Sequence, residues 1–145
     1  SNQKRTQPVE MSELVKTILA PYEQQDDIQI SSDPFPVPAN CITPLTLILH
    51  EWSTNAVKYG ALGQAGGRLS VDWDKNGENI LLRWNETVGQ TVKAPGEKGF
   101  GTVLLTSAAR QLGGTIETRF EGPTLQHVLT LPRLVINDTQ IGSYH

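Results

Sequence analysis

Residues 40–60 read NCITPLTLILHEWSTNAVKYG, and their apolar members Ile42, Leu45, Leu49, Trp52, Ala56 and Tyr59 step by three and four. Steps of that size return side chains to one face of a helix. The stretch is therefore expected to form a long helix with a buried stripe, capped by Asn40 and stopped at Gly60. Opposite the stripe, Glu51, Asn55, Lys58 and Tyr59 follow one another at spacings of four, three and one. Their side chains converge on one side of the last two turns.

Upstream, VEMSELVKTILAPY (9–22) places Leu14, Ile18 and Tyr22 four apart beside Val15 and Leu19, an amphipathic helix that Pro21 closes. Ile28 and Ile30 alternate with Gln29 as in a short strand, and the prolines of DPFPVPAN (33–40) keep that stretch extended. Downstream, GALGQAGG (60–67) is a flexible connection built for turns. Leu69, Val71 and Trp73 then alternate with polar residues, DKNGEN (74–79) supplies a turn, and Ile80, Leu82 and Trp84 alternate again, predicting a β-hairpin. Residues 86–98 have almost no apolar periodicity and read as a mobile loop. Gly99-Phe100-Gly101 opens a helix through Val103, Leu104, Ala108 and Leu112 that Gly113-Gly114 ends. Strands are expected at 115–120 and 125–131, before Pro132 and a polar tail. This order predicts an α+β domain, a two-layer α/β sandwich whose helices, about three, cover one face of a mixed, mostly antiparallel sheet.

The 145 residues carry 12 Lys and Arg against 15 Asp and Glu, a net charge of −3, with 37% hydrophobic residues. That is one domain with enough apolar material for a core, and it excludes wholesale disorder. The slight acid excess gives no global attraction to nucleic acid or anionic membrane, so a phosphate-bearing ligand has to be held locally. One cysteine, Cys41, makes no intramolecular disulfide and no thiolate cluster, which fits a reducing compartment. His50, His127 and His145 lack zinc-ligand spacing. No run approaches the roughly 18 apolar residues of a membrane helix, and no signal-peptide pattern is present, so a soluble, cytoplasmic protein is expected.

Three places have chemistry to offer. The oxygens of Glu51 and Asn55 suit Mg²⁺, which takes oxygen ligands, keeps waters and is shared with substrate phosphates, while Lys58 suits phosphate charge. The same row also fits a solvated helix face. Gly99 and Gly101 let the backbone approach a phosphate just before a helix, whose free first-turn amides stand at the positive end of its dipole. They fit a tight helix start equally well, and they match neither the Walker nor the dinucleotide pattern. Lys93 and Lys98 add local positive charge. Glu86, closing Trp84-Asn85-Glu86, is able to accept a hydrogen bond from an exocyclic amine such as that of adenine, and also fits a strand-end glutamate in water.

Together, LILHEWSTNAVKYGAL (47–62), LRWNETVG (82–89) and GFGTVLL (99–105) followed by LGG (112–114) resemble the N box, the Trp-x-Glu box and the second glycine box of one family. It is the HWE family of sensor histidine kinases, in the GHKL superfamily, and the resemblance is to their ATP-binding catalytic domain over residues 9–132. It implies the Bergerat ATP-binding fold and an ATP-dependent protein-histidine kinase of bacterial two-component signalling. Mg-ATP would bind here and its γ-phosphate would pass to a histidine on a separate dimerisation domain, for relay to a response-regulator receiver domain. Nothing in this chain matches that acceptor's His-Arg signature, so the chain would be the catalytic half, not autophosphorylating alone.

Carried over residue by residue, the resemblance implies that Asn55 ligates Mg²⁺ with Glu51 at the metal or its waters, the catalytic pair. Lys58 and Tyr59 would border the triphosphate and ribose. Glu86 would stand where the superfamily has the aspartate that reads the adenine amine. Gly99, Phe100, Gly101, Thr102 and Val103 would cradle phosphate, Gly89 and Lys98 would bound the ATP lid, and Thr124 would lie near adenine. His50 and Trp84 are family markers, with helix packing for His50 and core for Trp84 as their other reading. Residues 1–8 are expected to be a linker or tag remnant and 133–145 a polar tail. The isolated chain is expected to be monomeric, and the full protein soluble or membrane-attached.

Two departures from the family pattern stand out. Glu86-Thr87-Val88-Gly89-Gln90 replaces Glu-x-Gly-Gly-Pro, putting a β-branched residue in a glycine's place. Gly122-Pro123-Thr124 replaces Gly-Thr. They favour a second reading, a degenerate relative that binds no ATP and serves as a docking module or part of a phosphotransferase. A third reading, an anti-sigma-factor type serine kinase, is opposed by the HWE-type boxes.

Overall fold

The computed structural model describes residues 8–24, 27–89 and 100–133, residues 100–102 by their backbone alone. The apolar stripe forms α2, Ala39–Tyr59, which buries Cys41, Leu45, Ile48, Leu49, Trp52 and Ala56. The helix starts directly after Pro38, whose φ of −60° is preset by its ring, so Asn40 lies in the first turn and is not the cap. Pro44 is carried in the second turn without ending the helix. Tyr59 does not belong to the stripe: at the last helical position it is 59% exposed.

Before α2, the strand β1 (Val9–Glu10) leads into α1 (Met11–Leu19), which buries Met11, Leu14, Val15 and Leu19 and ends in a 3-10 turn through Pro21. β2 (Asp27–Ile30) follows, then β3 (Pro36–Val37), which pairs antiparallel with β1. This small ladder is tied further by Phe35, whose N–H donates to Glu10 Oε1 and whose carbonyl accepts from Met11 N–H, both at 2.9 Å.

After α2 come a 3-10 turn (Ala61–Gly63), then β4 (Arg68–Asn76), β5 (Asn79–Thr87), α3 (Phe100–Gln111), β6 (Thr115–Glu121) and β7 (Thr124–Pro132). The five-stranded sheet runs β2-β4-β5-β7-β6, with β2 parallel to β4 and the other pairs antiparallel. The expected α+β sandwich with a mostly antiparallel mixed sheet is therefore the fold. Gly77, at φ 62°, makes the β4–β5 turn, and Gly113, at φ 70°, closes α3.

Leu69, Val71, Trp73, Ile80, Leu82, Trp84, Leu129 and Leu131 form the sheet's inner face and share one core with the three helices. Each buried aliphatic side chain there stabilises the fold by about 1.5–3 kcal/mol. The outer face is polar and braced sideways. Arg83 donates to Asp72 at 2.8 Å and to Asp74 at 2.6 Å, Asn85 Nδ2 donates to Ser70 Oγ at 3.2 Å, and Gln126 Nε2 donates to Asn85 Oδ1 at 2.7 Å. A cavity of about 200 Å³, lined by Arg68, Ser70 and Asn85 among others, opens on that outer face.

The loop expected over 86–98 starts later than the sequence suggested. Glu86 and Thr87 are strand residues, paired on one side with Leu69 and Arg68 and on the other with Leu125 and Thr124. Residues 90–99, with Gln90, Lys93, Lys98 and Gly99, lie outside the described residues. Among the described residues, no helix is long and apolar enough to cross a membrane.

Candidate functional site

At about 100° of rotation per residue, Glu51, Asn55, Lys58 and Tyr59 span roughly a quarter to a third of the circumference of α2. Glu51 and Asn55 are half-buried beside the stripe, whereas Lys58 and Tyr59 are exposed near the helix end. The row is thus graded from a sheltered carboxylate and carboxamide to an ammonium in solvent. Among the described residues, no three His, Cys, Asp or Glu side chains gather as a metal cage. The donors present fit Mg²⁺, which needs few protein oxygens when waters and phosphate complete its shell.

The helix stops at Gly60, whose N–H donates to Ala56 O at 3.0 Å. The next N–H, of Ala61, donates to Glu86 Oε1 at 2.9 Å, and the other carboxylate oxygen, Oε2, accepts from Trp84 Nε1 at 2.8 Å. Trp84 and Glu86 share the inner face because strand side chains alternate. Glu86 is 2% exposed. Burial pushes its carboxyl pKa up, against the opposing pull of the Ala61 amide and the Trp84 indole. Glu86 is therefore not a strand-end glutamate in water, and Trp84 is a core residue with a polar task.

Gly60 has a negative φ of −135°, yet it tolerates no Cβ: one placed there would run into Glu86 Oε1 and press on Ala56 Cα. Its role is space for a carboxylate. From the sequence, Gly60 is expected to stop the helix and Ala61 to lie with it in the flexible connection 60–67, with no bond to Glu86. The available signal was Glu86 two residues after a core Trp on an alternating strand, a spacing that puts a carboxylate on the buried face and demands donors for it.

Beneath α2 lies an aromatic layer. Trp52 stacks on His127 with centroids 4.9 Å apart and planes 9° from parallel, and it meets Trp84 at 5.7 Å and 55°. His127 Nδ1 shares a hydrogen bond with Thr118 Oγ1 at 2.8 Å. Burial lowers the His127 pKa to about 4, so the ring is neutral at pH 7. Trp52 Nε1 and His127 Nε2 are buried without a partner among the described residues.

The remaining sequence candidates fall in different places. His50 is exposed, so helix packing is not its role. Val88 is buried, its N–H donates to Pro123 O at 2.9 Å, and no non-glycine residue among those described has a positive φ, so the replacement of a glycine here strains nothing. A Cβ at Gly89 would meet nothing within 4 Å among the described residues. Thr124 pairs with Thr87, one step beyond Glu86, and so faces the outer side of the sheet, its hydroxyl donating to Glu121 O at 2.7 Å. Leu125, not Thr124, stands opposite Glu86. Phe100, Gly101, Thr102 and Val103 form the first turn of α3, and Val103 is 68% exposed.

No family model matches the chain. It is 35% identical over 129 residues to blue-light-activated histidine kinase 1 of Erythrobacter litoralis, covering 86% of this chain and 36% of that protein. It is 33% identical over 112 residues to the blue-light-activated histidine kinase of Rhizobium johnstonii, covering 75% and 32%. The chain spans about a third of the length of these curated relatives.

Solved histidine kinase structures share the fold. The histidine kinase domain of the E. litoralis EL346 blue-light activated kinase has a TM-score of 0.70 at 15% identity, over 86% of this chain and 64% of that one. The catalytic domain of histidine kinase ThkA, nucleotide-free, has 0.68 at 14%, over 88% and 97%. Full-length ShkA in complex with AMPPNP has 0.64 at 19%, over 88% and 31%. By descent and by fold, the chain belongs to the HWE-type histidine kinases and represents the region of them that folds as the histidine kinase catalytic domain.

Proposed function

We propose that the chain is the ATP-binding catalytic domain of a two-component sensor histidine kinase. The domain is residues 9–132, reached through 1–8 from an upstream dimerisation region and followed by the tail 133–145. The observation that carries this reading is the bond from Ala61 N–H to Glu86 Oε1. It joins the turn that ends α2 to the end of β5, which supports reading the row Glu51, Asn55, Lys58 and Tyr59 and the Trp84-x-Glu86 strand end as parts of one site. AMPPNP in the ShkA structure of the same fold supports it.

In this reading Asn55, with Glu51, would hold Mg²⁺, which would supply Lewis-acid offset of phosphate charge. Lys58 meets phosphate, Tyr59 lines the ribose side, and Glu86 keeps acceptor capacity for a base amine, because two oxygens accept about four hydrogen bonds. The first-turn amides of α3, from Gly101, Thr102 and Val103, face an anion with Gly99 and Lys98 before them. Thr124 is left out, being on the other face of the sheet. The chain's own contribution is positioning and charge stabilisation. The acceptor histidine comes from a separate domain, and the phosphoryl group then passes to a response-regulator receiver. The protein would work in the bacterial cytoplasm.

Thermal unfolding with Mg-ATP tests the reading. Wild type should gain about 2.7 kcal/mol at a hundredfold excess of ligand over Kd. Asn55→Ala and Gly101→Ala should lose most of that gain, and chelation of Mg²⁺ should weaken it. Absence of any ATP-dependent stabilisation at millimolar nucleotide overturns the kinase reading and leaves the degenerate relative.

A further inference from the structure

Two N–H donors converge on one buried side chain at the point where α2 ends. Ala61 N–H and Trp84 Nε1–H both point at Glu86, one at each oxygen, at 2.9 and 2.8 Å. Only an acceptor on both sides satisfies them. A carboxylate offers that, whereas a carboxamide of the same shape turns an NH₂ toward one donor whichever way it is flipped. Gly60 supplies the third part of the arrangement, since a methyl group there would occupy the place of Oε1. Ala61 itself is 1% exposed and Leu62 8%, so the turn that leaves α2 is seated in the core and cannot reach water to satisfy its amide.

We propose that Glu86 is a positioning residue for α2. Its carboxylate, with the space left by Gly60, sets where the helix ends and therefore where the Glu51, Asn55 and Lys58 face stands relative to the sheet. One side chain on β5 thus couples the base-reading strand to the metal and phosphate face of the helix. The coupling to phosphate rests on the nucleotide reading given above; the anchoring of Ala61 does not.

The test compares the 145-residue wild type with Glu86→Gln, Glu86→Asp, Gly60→Ala and the double variant Gly60→Ala/Glu86→Asp, each first checked for cooperative unfolding. In the ligand-free proteins, amide and indole NMR signals report on the anchor. Glu86→Gln and Gly60→Ala should shift the Trp84 indole and the amides of residues 59–62 and speed hydrogen exchange at Ala61, leaving α1 and β6 unmoved. Mg-tripolyphosphate, which has no base, then separates the two roles. If Glu86 positions α2, Glu86→Gln weakens tripolyphosphate about tenfold as well as ATP, although the folded protein retains Asn55 and Lys58. A role in stability alone would lower the unfolding midpoint and leave that affinity unchanged.

The double variant should bind tripolyphosphate better than the two single losses would multiply to, because the shorter aspartate withdraws from the added methyl group. Unchanged Ala61 exchange in Glu86→Gln, or tripolyphosphate affinity within twofold of wild type, overturns the proposal. If wild type binds neither ATP nor tripolyphosphate, the nucleotide reading falls, and the anchoring role stands or falls on the ligand-free spectra.

Discussion

On the outer face of β5, the Arg83 guanidinium balances Asp72 and Asp74 of the neighbouring β4 at the edge of solvent, the two carboxylate side chains 42% and 53% exposed. On the inner face of the same strand, Glu86 is balanced by two N–H donors in a place that is 2% exposed. The outer charges were never far from water, so their pairing changes little in free energy. The inner charge has lost its water and depends wholly on fixed dipoles. Two carboxylate environments on opposite faces of one sheet thus differ in kind: one braces a surface, the other holds a helix end in place.

The comparison breaks first at its buried side. Glu86→Ala should lower stability in urea unfolding by about 2–5 kcal/mol, because it leaves two buried donors unpaired and opens a cavity beside Gly60. A loss near that of a surface substitution would mean the two faces are alike.

Acid is the next probe. His127 has a folded pKa of about 4 against an ordinary 6.5, so the unfolded chain binds its proton first as pH falls. Its contribution is fully present above pH 6.5 and is lost as pH falls toward 4, about 3 kcal/mol in all. Glu86 has the opposite sign: its raised folded pKa makes the folded state take up a proton more readily, which offsets part of the loss at the acid end. His127→Phe, which keeps a ring on Trp52 and does not titrate, should flatten the acid limb of stability measured from pH 7 to pH 4.

Gly60→Ala comes third, at about 1–3 kcal/mol for forcing a methyl group against Glu86 and Ala56. Arg83→Ala should be smallest, below about 1 kcal/mol, and smaller again in high salt. An Arg83 effect as large as that of Gly60 would erase the distinction between the faces.

Much of this was legible in the sequence, for reasons that vary by element. α2, the β4–β5 hairpin and the β6–β7 pair announce themselves by local period. The β1–β3 ladder does not, because two residues per strand give no alternation, and its bonds run through Phe35 and Glu10 from distant positions. The start of α2 was misread at Asn40 because a good capping residue competed with Pro38, whose fixed φ decides the matter. The end of β5 was misread because Glu86 and Thr87 are strand only through their partners in β4 and β7. In the site, the row on α2 was visible from spacing alone. The partnership of Gly60, Ala61 and Glu86 was not, since it depends on how closely a helix end approaches a strand. The outward direction of Thr124 follows from register with Thr87, which no local pattern fixes.

The parallel pairing of β2 with β4 has a kinetic consequence. Asp27 meets Arg68 only after the whole of α2 has been laid between them, whereas the β4–β5 and β6–β7 pairs close across short turns. Long loops are slow to close, so the β2–β4 pair, like the similarly distant β5–β7 pair, forms after the two hairpins during folding. β2 and β6 are both edges with a single neighbour, but β2 has four residues against seven in β6, so β2 is the first to open and its amides should exchange with solvent fastest of the five strands.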